Sequence, residues 1–110
     1  MSYLIEYTQN AKQDLLDIFA YISENLSAPE AAAKQINHIM DMIDRLDTMP
    51  FRYPLYKYEP WRSRGLRFIP VNNYIIFYQP REKDNKVYIV RIMYAEWDIQ
   101  RQLAEDLLSD

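Results

Sequence analysis

The sequence predicts one α+β domain over residues 1–110, ordered β-α-α-β-β-β-α, with a helical hairpin packed on a twisted, mainly antiparallel sheet. Three observations lead there. Leu66 to Asp98 holds three β-type runs joined by two short polar turns. Upstream, residues 8–49 contain two stretches with apolar residues at helical spacing, separated by a polar, proline-bearing break. A chain of 110 residues, 49% of them hydrophobic, has the size and the apolar content for a single small core.

Met1–Tyr7 sets Tyr3, Ile5 and Tyr7 against Ser2, Leu4 and Glu6, the alternation of a short strand. Thr8 suits an N-cap, since its hydroxyl can accept from an orphan amide of the first turn. Ala11, Leu15, Ile18, Phe19 and Ile22 then give an apolar helix face running to about Glu24. Ser27-Ala28-Pro29-Glu30 has the form of a capping box. The second helix carries Ala32, Ile36, Ile39, Ile43 and Leu46 on one face and ends by about Met49, ahead of Pro50. A break of about three residues makes the two helices an antiparallel hairpin. His38 lies off the apolar stripe, as an exposed helix residue.

Pro50, Pro54 and Pro60 forbid a regular helix in the next segment. Its rings and cations interleave: Arg52, Tyr53, Tyr56, Lys57, Tyr58, Trp61, Arg62, Arg64. The preferred reading is a cover over the core, rings inward and cations snorkelling out; the alternative is a loop that stacks on bases and holds phosphates. Leu66–Val71 and Tyr74–Gln79 form strands around the turn residues Asn72-Asn73, because asparagine tolerates positive φ. Pro80–Asn85 is a longer turn. Val87–Tyr94 is the last strand, with Val87, Ile89, Arg91 and Met93 expected on one face and Tyr88, Val90, Ile92 and Tyr94 on the other. Both faces are largely apolar, which places this strand centrally. Asp98 is positioned to cap a final helix whose apolar side is Ile99, Leu103 and Leu107.

The composition excludes several classes. Without cysteine there are neither disulfides nor thiolate metal sites, and one histidine builds no zinc site. No metal or other cofactor is expected. No apolar run reaches the ~20 residues of a membrane span, and the N-terminus lacks a signal-peptide pattern, so a soluble cytoplasmic protein is expected. Net charge is −3, unevenly spread. Residues 1–48 have eight acids and three bases, residues 49–67 one acid and five bases, residues 68–94 two acids and four bases, and residues 95–110 five acids and one base. A basic middle inside an acidic chain is either chance segment variation or an anion-binding face.

The element order and the local strings "DLLDIFAYI", "NNYIIFYQP" and "VYIVRIMYAEWDIQRQL" together resemble the RelE/ParE superfamily, the toxins of bacterial type II toxin–antitoxin modules, over residues 3–104. The resemblance implies a small antitoxin partner. It also implies one of two activities: mRNA cleavage in the ribosomal A site by RelE-like members, or poisoning of DNA gyrase by ParE-like members. The nucleases place cations on the first strand of the hairpin, an arginine after its turn, another arginine before the last helix and a tyrosine on that helix. Arg67 matches the first group. Ile75, Trp97 and Leu103 stand where the other polar groups are expected, which favours the ParE-like branch and binding over bond-breaking. The bulk charge agrees, because a protein entering an RNA cavity gains much of its affinity from phosphate contacts.

If the chain is a nuclease instead, Arg67, Arg91 and Tyr94 are the catalytic candidates, with Glu96 as base and Lys57 in support. Strand parity separates Arg91 from Tyr94 unless a bulge re-aims one of them. The structural alternatives are an ion pair of Arg91 with Asp14 or Asp17 and a packed Tyr94 ring with its hydroxyl bonded. Residues expected to meet nucleic acid or a protein partner are Lys57, Arg62, Arg64, Arg67, Arg81 and Trp97. An antitoxin is expected to add at a strand edge or fill a groove beside the hairpin, covering part of the Arg67/Arg91 region. A homodimer is a further expected possibility, and a non-toxic binding module is the third reading.

Overall fold

Alternating apolar and polar residues build a four-stranded sheet ordered β1-β4-β3-β2, with β1 Leu4–Tyr7, β2 Arg67–Val71, β3 Tyr74–Arg81 and β4 Lys86–Tyr94. A computed structural model describes residues 2–96 and 99–109, the last three of them by backbone alone. Strand β1 runs parallel to β4, and the pairs β2/β3 and β3/β4 are antiparallel. Helices α1 (Gln9–Ala20) and α2 (Pro29–Asp44) form the hairpin on one face, and α3 (Ile99–Ser109) follows the last strand. The predicted α+β order is therefore the observed one. The Asp98 cap lies outside the described residues, as does the side chain of Leu107.

The hairpin core is Ile39, Ile43 and Leu46 from the helical side against Ile69, Ile76, Tyr78, Val87, Ile89 and Ile92 from the sheet. Each such aliphatic side chain, removed from water, contributes about 1.5–3 kcal/mol. A second cluster covers the opposite face: Trp61, Leu66, Phe77, Met93 and Leu103. Strand β4 is thus central and covered on both sides.

Several local expectations change. Ser27 does not cap α2. It sits at φ 51° in the left-handed region, where Ala28 N–H returns to the Ile22 carbonyl, and Pro29 at the helix start offers no amide to cap. The first helix ends in a π-turn, Tyr21–Asn25, in which Leu26 N–H reaches the Tyr21 carbonyl. The second helix stops at Asp44 and tightens into a 3-10 turn, Arg45–Asp47. Strand β3 runs on through Pro80 because β2 begins opposite Tyr78, so the proline costs no ladder bond on that side.

The face assignment of β4 is also corrected. Phe77 pairs with Arg91 but Tyr78 pairs with Ile89, so Val90 is the extra residue of a bulge. Parity inverts there. Val87 and Ile89 face the hairpin, and so do Ile92 and Tyr94, whereas Arg91 and Met93 turn to the other face. At the free margin of β2, Phe68 N–H is taken by the Pro54 carbonyl, and Pro70 has no N–H to offer.

Candidate functional site

Strand β1 ends at Tyr7, leaving the β4 backbone beyond Ile89 without a strand neighbour on that side, while β3 stays paired on the other. The start of α1 takes its place. Thr8 Oγ1 accepts from Ala11 N–H at 3.2 Å, capping the helix as expected, and lies 2.9 Å from the carbonyls of both Ile89 and Val90. Its single proton serves one carbonyl at a time. Six residues further along, Asp14 accepts from Ile92 N–H at 2.8 Å. The same carboxylate takes Arg91 Nε at 2.7 Å and Nη2 at 2.9 Å, and Asp106 of α3 takes Nη1 at 3.0 and 2.9 Å. The Asp14 bonds push the Arg91 guanidinium further up from an already high value, against the opposing effect of burial, with Asp106 adding to the rise.

Arg91 is therefore the centre of a structural ion-pair triad. Arg67 is committed elsewhere. It shares the hairpin side with Ile69 and Val71, donates from Nη1 to the carbonyls of Phe51 (3.1 Å) and Tyr53 (2.6 Å), and lies over the Phe51 ring at 5.2 Å. Its Nε is buried without a partner among the described residues. Tyr94 packs edge-on against Tyr74, centroids 5.8 Å apart, and its hydroxyl has no bond to a described residue. Glu96 is exposed beyond the strand end. The three candidate catalytic residues point to three different neighbourhoods.

The covering loop behaves as the preferred reading expects. Trp61 is buried, and Tyr56 packs edge-on against Phe77 and Phe68. Lys57 rests over the Tyr58 ring, and Arg62 and Arg64 are exposed. What the loop builds is a hollow of about 730 Å³ on the face away from the hairpin. Leu66, Val90 and Leu103 give it an apolar floor; Arg64, Arg81 and Gln79 give it a polar rim. Gln79 Nε2 donates to the Arg64 carbonyl, fixing the loop against β3. Arg81 lies over the Tyr88 ring at 5.2 Å and is loosely paired with Asp84 at 3.9 Å. Lys86 reaches Glu6 at 3.6 Å on the same face.

Such a hollow can hold an anionic group against an apolar surface. Among the described residues the one carboxylate lining it, Asp106, is engaged by Arg91, which leaves that group poorly placed for proton transfer. Tyr94 and Arg81 sit at opposite ends of β3, since their partners are Tyr74 and Lys86. Seven residue steps separate those ends, about 23 Å at ~3.3 Å per residue. Of the sequence-selected residues, the structure brings Arg64 and Arg81 to one site and leaves Lys57, Arg62 and Arg67 outside its lining. Trp97 lies outside the described residues. Asn10 and Gln79 carry no sequence signal, because nothing but position in the fold distinguishes them, and Thr8 is legible only as a helix cap.

Residues 5–99 match the family described as ParE toxin of type II toxin-antitoxin system, parDE. The chain belongs to the ParE toxin family. Among solved structures, this ParE-family toxin is similar to the chromosomal ParDE toxin–antitoxin system from P. aeruginosa, with 20% identity, TM-score 0.71, and coverage of 86% of this chain and 98% of that one. It is similar to the RelBE2 toxin–antitoxin complex from Mycobacterium tuberculosis at 17% identity and TM-score 0.62, covering 87% and 95%. It is also similar to a mutant E. coli toxin RelE in the free state at 13% identity and TM-score 0.66, covering 96% and 97%. At these identities the structural likenesses show the fold. No curated protein matches the chain in sequence. The ParE-type toxin reading thus holds over the RelE-like one, and Ile75 and Leu103 are both packed into the second apolar cluster of the toxin. No helix among the described residues is long and apolar enough to cross a membrane.

Proposed function

We propose that this ParE-family toxin inhibits growth by binding DNA gyrase, without cutting RNA, and that a cognate antitoxin holds it inactive. The observation that carries the reading is the dispersal of the would-be catalytic set: Arg67 on two loop carbonyls, Arg91 on Asp14 and Asp106, Tyr94 on Tyr74. An active site for RNA cleavage needs its proton donor, proton acceptor and phosphate-stabilising cations within reach of one phosphodiester. The antitoxin is supported by the toxin–antitoxin relatives, and the cations that the hollow offers it are the exposed Arg64 and Arg81. Arg91 is buried and cannot be the charge it covers.

The test uses purified toxin freed of antitoxin. Inhibition of gyrase supercoiling, with intact mRNA on translating ribosomes, is the expected result; mRNA cleavage with unaffected gyrase refutes the reading. The second reading, an mRNA endonuclease, is favoured by one observation, the Arg64/Arg81 rim beside Tyr88. It requires that Arg81→Ala abolish cleavage. Absence of both activities, with harmless overexpression lacking antitoxin, would leave a non-toxic binding module.

A further inference from the structure

A second groove, of about 770 Å³, opens on the hairpin side of the sheet, away from the Arg64/Arg81 hollow. It lies where the π-turn after α1, the start of α2 and the β2–β3 turn meet. Three phenol rings line it. Tyr74 and Tyr94 stand edge to face at 5.8 Å and 66°, and Tyr21, 53% exposed, approaches from the helix. Among the described residues the Asp17 carboxylate is the one charge in the lining. It accepts a single neutral bond, from Gln13 Nε2 at 2.8 Å, and has no cationic partner among the described residues.

The rest of the lining describes the remainder of a ligand. Ile22 and the 57% exposed Leu26 offer apolar contact at one end. Gln35 spends its Oε1 on Asn72 Nδ2 at 3.0 Å, while its Nε2 is buried with no acceptor. A buried donor left unmet costs about 1–3 kcal/mol, so an incoming carbonyl there is favourable. Ring faces are electron-rich and attract cations, and a carboxylate beside them adds a full charge. Guanidinium fits better than ammonium because it stacks flat on a phenol while forking two N–H groups toward a carboxylate.

We propose that this groove docks a partner polypeptide that inserts one arginine side chain between the Tyr21, Tyr74 and Tyr94 rings and Asp17, with apolar neighbours of that arginine covering Ile22 and Leu26. The Gln35 amide meets a backbone carbonyl of the same segment. Charge complementarity selects the occupant: the first 48 residues, which supply both helices, carry eight acids and three bases. The inference does not depend on gyrase being the target.

The test is an NMR titration of the purified toxin with N-acetyl-leucyl-arginyl-leucine amide, and with the same peptide carrying citrulline in place of arginine. Citrulline keeps the shape and removes the charge. Saturable shifts at the methyls of Ile18, Ile22 and Leu26 and at the three tyrosine rings are expected, with low-millimolar Kd. The citrulline peptide should bind at least about fivefold more weakly, and Asp17→Asn or Tyr21→Ala should each weaken the arginine peptide by about three- to tenfold. Both substituted residues are exposed, so the variants fold. Arg64→Glu, on the other face, should leave the shifts unchanged. Equal binding of the two peptides, shifts centred on the Arg81 hollow, or no saturable shift up to tens of millimolar would overturn the proposal.

Discussion

Arg91 and Asp14, 77 positions apart in the chain, meet through two parallel N–H···O bonds of 2.7 and 2.9 Å at the point where β4 bulges. The same carboxylate closes the ladder amide of Ile92, so one side chain of α1 neutralises a buried charge and stands in for a missing strand. Asp14→Ala leaves the guanidinium short of its main partner and is expected to cost about 3–5 kcal/mol. Asp106→Ala should cost only about 1 kcal/mol, because that side chain is 25% exposed and water can replace it. Urea unfolding of the two variants checks the ranking, beside an Asp14→Leu/Arg91→Met pair that should recover the charge-burial part of the loss but not the part due to the unmet Ile92 amide.

Thr8→Val removes both the cap of α1 and the hydroxyl that reaches the bulge carbonyls. The expected loss is about 1–2 kcal/mol, against less than about 0.5 kcal/mol for Thr8→Ser. Thermal unfolding should separate the two, and equal melting temperatures would show that the hydroxyl contributes nothing.

Local chemistry made most of this fold legible. Thr8 was readable as a cap because the helical period begins right after it, and Asn72-Asn73 as a turn because Asn72 adopts φ 54°. The capping box was misread at Ser27: the spacing was right, but the preceding π-turn needed a left-handed residue there. The β4 bulge was invisible for a deeper reason. Whether Arg91 shares a sheet face with Ile89 or with Phe77 depends on one extra residue opposite Phe77 and Tyr78, and Val90 carries no sign of it. The candidate site suffered accordingly. Arg81 and Arg64 could be named as exposed cations, but their meeting across β3 and the covering loop is set by long-range register.

Tyr78 gives the toxin an alkaline limit. Burial pushes its phenol up to about 12, against the pull of Arg67, while its hydroxyl donates to the Pro50 carbonyl at 2.7 Å. The unfolded phenol ionises near 10, so this contribution is complete below about pH 10 and is lost as pH rises through about 12, up to about 2.7 kcal/mol. Tyr78→Phe should cost about 1 kcal/mol at pH 7 and make the alkaline decline shallower. Denaturant midpoints between pH 8 and 12 provide the measurement.

Arg64→Glu with Arg81→Glu should leave folding within about 0.5 kcal/mol, since both side chains are exposed and hold no buried partner. Antitoxin affinity should fall and lose much of its salt dependence. Calorimetric titration at two ionic strengths tests this. Unchanged affinity would place the antitoxin away from that hollow.

The proline at position 70 has a bearing on self-association. The outer margin of β2 can neither lend nor borrow a strand there, because one amide is occupied and the next does not exist. Among the described residues, the strand margin left open to a second copy is that of β1, beyond the Tyr3 amide that the Asp47 carbonyl already takes, and two such margins exhaust each other. Growth into endless ribbons is blocked at the first pairing.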